Sequence, residues 1–84
     1  MDDDIPMWEE AGDLEGQYAN CFRVGFNAFE FLIDAGQSDA DGRRARTVNR
    51  VTTNPGSAKE LCRTLQKTLE EYERAFGVIP EERD

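Results

Sequence analysis

The chain has 84 residues, 18 acidic and 10 basic, for a net charge of −8, with 38 % hydrophobic residues. A chain this short makes one domain at most and buries only about 60 to 65 % of its unfolded surface on folding, so its core is small. The negative field repels nucleic-acid phosphates and anionic membrane surfaces, and two cysteines provide neither a zinc site nor a secreted disulfide framework.

The charge is uneven. Residues 1–16 carry seven acids and no base, residues 17–53 four acids and five bases, and residues 54–84 seven acids and five bases. Residues 1–16 read as a flexible acidic arm, in which Pro6, Gly12 and Gly16 break regular structure and Trp8 is a candidate for docking on the domain or on a partner. The start Met1-Asp2-Asp3-Asp4 lacks the basic and apolar segments of an export signal, and no window holds the roughly 20 apolar residues that span a bilayer. The expectation is a cytoplasmic protein with both thiols reduced and no membrane partner.

Two strands are expected next, over residues 18–25 and 29–36. Phe22, Val24 and Phe26 fall on even positions, Phe29, Phe31, Ile33 and Ala35 on odd ones, and strand side chains alternate faces with period two. A reversal at Asn27-Ala28 pairs residues whose numbers sum to an odd value, such as 24 with 31, and brings both apolar sets to one face of a hairpin. Ala28 disfavours the tight two-residue turn, so a slightly wider loop is expected. The opposite face holds Ala19, Cys21, Arg23, Gly25, Glu30, Leu32, Asp34 and Gly36, with Arg23 beside Glu30 and Asp34.

Residues 37–42 are rich in turn formers, and the β-branched run over 47–53 reads as a third, edge strand. Asn54-Pro55 marks a helix start, with Asn as N-cap and Pro at the first helical position. Ala58, Leu61, Leu65, Leu69, Tyr72 and Phe76 recur at three- and four-residue spacing, and Gly77 and Pro80 end the helix. Residues 55–76 span about 33 Å as a helix, enough to cover a hairpin of eight-residue strands. The fold class expected is therefore α+β: a three-stranded antiparallel sheet, β-hairpin plus third strand, then one long C-terminal helix packed on the face of Phe22, Val24, Phe26, Phe29, Phe31 and Ile33. The domain covers 17–79, and 80–84 is a loose tail.

Local motifs carry a resemblance. Tyr18-Ala19-Asn20, Glu30-Phe31 followed by Asp34, Arg50-Val51 leading to Pro55, Ala58-Lys59 and Leu61, then Tyr72-Glu73 with Phe76-Gly77 and Ile79, resemble the small bacterial and archaeal family catalogued as domain of unknown function 3467. The pieces cover about residues 16–79. Ala35 stands where that family's pattern has a large apolar residue, and the loop 38–46 lies outside the pattern. The resemblance implies a compact strand-and-helix domain and supplies no catalytic residues.

The chemistry legible in the residues is sparse. There is no histidine, which removes the usual base near neutral pH and the commonest zinc ligand. Glu30 and Asp34, four apart on a strand, are about 13 Å from each other, too far for a paired-carboxylate mechanism. Cys62 falls beside the apolar stripe and reads as a packing residue. No glycine-rich phosphate loop, cofactor motif or metal-ligand set is present, and the expectation is a protein that is not an enzyme and uses no cofactor.

A lone three-stranded sheet leaves open edges and a second face, which natural proteins cover or pair. A homodimeric assembly or adaptor module is the expectation, with Ala19, Cys21, Leu32 and Val51 as its self-association face. The alternative is a nucleic-acid-associated regulator in which Arg43, Arg44, Arg46 and Arg50, with Lys59, form a basic strip beside the helix start. The net charge weighs against it.

Overall fold

The reversal of the chain is built on one side chain. Asn27 Oδ1 accepts from the backbone N–H of Phe29 at 2.8 Å and of Glu30 at 2.9 Å, and the Asn27 N–H donates to the Glu30 carbonyl at 3.0 Å. An asparagine side chain that satisfies two donors in this way replaces the left-handed backbone that a tighter turn would need. In the computed structural model, which describes residues 6–81, this turn joins strand β1, Cys21–Phe26, to strand β2, Phe31–Ser38. Strand β3, Ala45–Thr53, pairs with the other side of β2, and helix α1, Pro55–Phe76, follows. The sheet is antiparallel in the order β1-β2-β3, an α+β arrangement.

The odd-sum pairing holds, shifted by two. Val24 lies opposite Ile33 and Phe26 opposite Phe31, so Phe29 and Glu30 belong to the turn and not to the second strand. Phe29 leaves the apolar face for that reason and points to solvent. Phe22, Val24, Phe26, Phe31, Ile33 and Val51 form the face, with the Phe26 and Phe31 rings stacked at 5.7 Å. Before β1, the Asn20 N–H donates to the Gly36 carbonyl at 2.9 Å and Asn20 Oδ1 accepts from the Ser38 N–H at 2.9 Å, tying the approach segment to the far end of β2.

The pairing of β2 with β3 slips between Ala35 and Gly36. Asn49 faces Ala35 and Thr47 faces Gly36, leaving Val48 as the extra residue of a bulge. A Cβ on Gly36 would sit 2.9 Å from the Arg46 carbonyl oxygen and 3.4 Å from Cys21 Sγ, so glycine is what lets the strands approach there.

Helix α1 begins and ends where the sequence places it. Asn54 Oδ1 accepts from the Ser57 N–H at 2.7 Å, and Pro55 takes the first helical position. At the other end Gly77 has φ 104° and ψ 167°, its N–H donates to the Glu73 carbonyl, and the Glu73 carboxylate accepts from the Ile79 N–H at 2.9 Å. The stop is thus made by glycine and a side-chain carboxylate, and Val78 is exposed.

The packing of the helix departs from expectation. It does not lie over the phenylalanine face: Phe26 is 77 % exposed, Val24 57 % and Leu65 55 %, and no hydrophobic side chain is buried among the described residues. The joint between sheet and helix is a single residue: Asn54 is extended at φ −85° and ψ 165°, a conformation that its role as N-cap and the following proline both favour.

Residues 6–16 contain no helix or strand, and Trp8 is 85 % exposed, with no apolar cover from the described residues. The first five residues of the acidic arm and the last three of the tail lie outside the described residues.

Candidate functional site

Two surfaces of the sheet differ in chemistry, and the pleat decides which residue goes to which. On the first, Phe22, Val24, Phe26, Phe31, Ile33 and Val51 make an uncovered apolar face. The helix carries a matching stripe of Leu61, Leu65, Leu69, Tyr72 and Phe76, with the last two rings 5.1 Å apart. Both are open in the same chain, an unusual amount of apolar surface for a small protein to leave in water.

The second face is centred on Asp34, which is 4 % exposed and the one buried charged residue among those described. Arg23 on β1 and Arg50 on β3 stand opposite it in register. Arg23 Nε donates to Asp34 Oδ2 at 2.8 Å, Arg50 Nε to Oδ1 at 2.7 Å and Arg50 Nη2 to Oδ2 at 3.0 Å. The hydrogen bonds from Arg50, then the one from Arg23, hold the Asp34 carboxyl well below the usual carboxylate range, and Asp34 in turn raises Arg50. The two guanidinium groups shelter the carboxylate from water and their outer faces remain solvated.

Gly36 leaves a shallow hollow beside this cluster, lined by Cys21, Arg23, Asp34, Arg46 and Thr47. Cys21 is half-buried there and Cys62 is exposed on the helix, both as free thiols.

The proposed self-association residues do not share one surface. Cys21 and Leu32 lie on the Asp34 side and Ala19 precedes β1, whereas Val51 pairs with Ile33 on the phenylalanine face. The basic strip is likewise divided. Arg50 is committed to Asp34. Arg43 and Arg44 belong to the loop before β3, where their N–H groups donate to Asp39 Oδ1 and the Arg43 guanidinium reaches Asp41 at 4.0 Å. Arg46 opposes Gln37 at the start of β3. Lys59 follows the far end of that strand, about 26 Å of extended chain away, so the fold does not gather the five into one patch.

What the residues alone did not reveal is the second partner of Asp34. A lone acid in an apolar strand, with one arginine on each neighbouring segment, is the available signal; the bulge at Val48 hides the register that joins Arg50 to it.

The family model described as protein of unknown function (DUF3467) matches residues 5–81 of the chain, and the chain belongs to that family. No curated protein and no solved structure matches it. No helix of the described residues is long and apolar enough to cross a membrane.

Proposed function

We propose that this member of the family is a non-enzymatic interaction module that works as a homodimer, its apolar surfaces covered by a second copy and its Asp34 face left open for assembly or adaptor contacts. The observation that carries this reading is the absence of any buried hydrophobic side chain among the described residues of a chain with a full sheet and a 22-residue amphipathic helix. Strands and helices of this length do not persist without apolar burial, because helix propensity and ladder hydrogen bonds alone are marginal in water.

Two global measures agree. The chain exposes 8101 Å², where the scaling for folded monomers of its mass gives about 5,000 Å². Its radius of gyration is 15.4 Å, against about 12 Å for a compact domain of this length. The extended segment before β1 contributes part of the excess and the two apolar surfaces the rest. Obligate dimers bury about 2,000 to 5,000 Å² in total, about 1,000 to 2,500 Å² per chain, which the excess of about 3,000 Å² per chain can supply even after the extended segment is discounted.

Sedimentation equilibrium over a concentration series tests the reading. The expected result is a dimer of twice 9.5 kDa, with a melting temperature that rises with protein concentration, as linkage of folding to association requires. A monomer at micromolar concentration with a concentration-independent melt overturns it.

A further inference from the structure

We infer that the dimer is made by exchange: α1 of each copy lies across the phenylalanine face of its partner's sheet and not across its own. This rests on the homodimer reading and adds which surface meets which.

The joint decides it. Thr53 ends β3 and Pro55 begins α1, so one residue has to turn the chain. Pro55 excludes the helical conformation at Asn54, and the Asn54 side chain is already committed as N-cap to the Ser57 N–H while its carbonyl accepts from the Ala58 N–H at 3.0 Å. A joint one residue long, extended as both the N-cap and the proline require, leaves little slack with which to fold the helix back over its own sheet. Short, stiff connections of this kind are what convert an intrachain contact into an interchain one.

The two surfaces are suited to each other. The helix is about 33 Å long and β3, at nine residues, about 30 Å. The leucines of the stripe and the Val24, Ile33 and Val51 row are uncharged, and the charged residues of the helix lie off the stripe, so helix on sheet buries apolar against apolar with no stranded charge. Pairing sheet with sheet and helix with helix would also cover apolar surface, but it leaves unexplained why the joint points the helix away from its own strands.

A complementation experiment separates the arrangements. Ile33→Lys puts a charge in the centre of the sheet face and Leu65→Glu puts one in the centre of the stripe. Each alone is expected to weaken self-association by at least about 100-fold, since both interfaces of the exchanged dimer are then damaged. In an equimolar mixture the exchanged heterodimer has one wild-type interface and one in which lysine meets glutamate. Association is expected to return to within about tenfold of wild type. In a chain whose helix covers its own sheet mixing restores nothing, and in a dimer of like surfaces it only relieves like-charge contacts, leaving a lysine and a glutamate each buried against an apolar surface and association well short of wild type.

Wild-type dimer with no rescue on mixing overturns the exchange and leaves the homodimer standing; wild-type monomer overturns both. Because either substitution can prevent folding, a second variant is decisive. Insertion of Gly-Ser-Gly-Ser between Thr53 and Asn54 lets the helix return over its own sheet and is expected to give a folded monomer. A dimer of unchanged affinity after that insertion overturns the exchange.

Discussion

Arg50 meets Asp34 through two parallel hydrogen bonds, Nε to Oδ1 at 2.7 Å and Nη2 to Oδ2 at 3.0 Å, whereas Arg23 meets the same carboxylate through one, at 2.8 Å. The forked contact is the stronger because two aligned charge-assisted bonds fix the guanidinium in a single orientation. Asp34→Asn leaves two cations facing each other across the middle strand and is expected to lower the melting temperature most. Arg50→Gln should follow and Arg23→Gln should cost least. Thermal melts at one protein concentration rank the three, and a larger loss for Arg23→Gln than for Arg50→Gln would contradict the ranking.

Acid should reveal the same cluster. The folded-state carboxyl of Asp34 lies below its ordinary value of 3.8, so its stabilisation is complete above that value. As pH falls past it, unfolded chains take up a proton that folded ones refuse, and stability declines until the folded carboxyl itself titrates well below 3.8. Urea midpoints measured from pH 6 to pH 2 should fall more steeply below pH 4 for the wild type than for Asp34→Asn. Parallel curves would remove Asp34 from the account of acid sensitivity.

Gly36→Ala forces a methyl to within 2.9 Å of the Arg46 carbonyl, a backbone atom that cannot swing aside. The expected cost is about 1 to 3 kcal/mol, from the shift the bulge must make. Gly25→Ala, whose Cβ would meet nothing within 4 Å, is the matched control and should change stability little. Equal losses in denaturant melts of the two variants would mean that the bulge at Val48 yields freely.

Asn54→Ala removes the acceptor of the Ser57 N–H while leaving Pro55 in place. The loss should be about 1 kcal/mol, the usual worth of such a cap. Far-ultraviolet circular dichroism during thermal melting checks it, and Asn54→Asp, which keeps the acceptor, should retain wild-type behaviour.

The local chemistry of the fold was legible because it is carried by near neighbours in sequence. Asn54-Pro55 and Phe76-Gly77 bound the helix at the positions the structure shows, and the parity change between Phe26 and Phe31 assigns the apolar face. That the turn would be wider than two residues was legible at Ala28, but its length was not, since nothing in Phe29 or Glu30 tells that the Asn27 side chain will hold two N–H groups and move the register by two. The resting place of the helix was not legible either. Amphipathic spacing states that a stripe seeks a cover, but it does not say whose, and the match in length between helix and hairpin does not settle it. The site on the second face was half visible: Arg23 with Asp34 follows from the hairpin, whereas Arg50 depends on a bulge in a strand pairing that spans a long connection.

The sheltered carboxylate of Asp34 also acts as an indexing tooth for the three strands. Sliding β1 by two positions would set it against Gly25 or Cys21, and sliding β3 would set it against Thr52 or Thr47, so only one alignment supplies a cation from both sides. A misaligned protomer strands a bare anion, a cost that the apolar contacts of the wrong arrangement would have to outweigh.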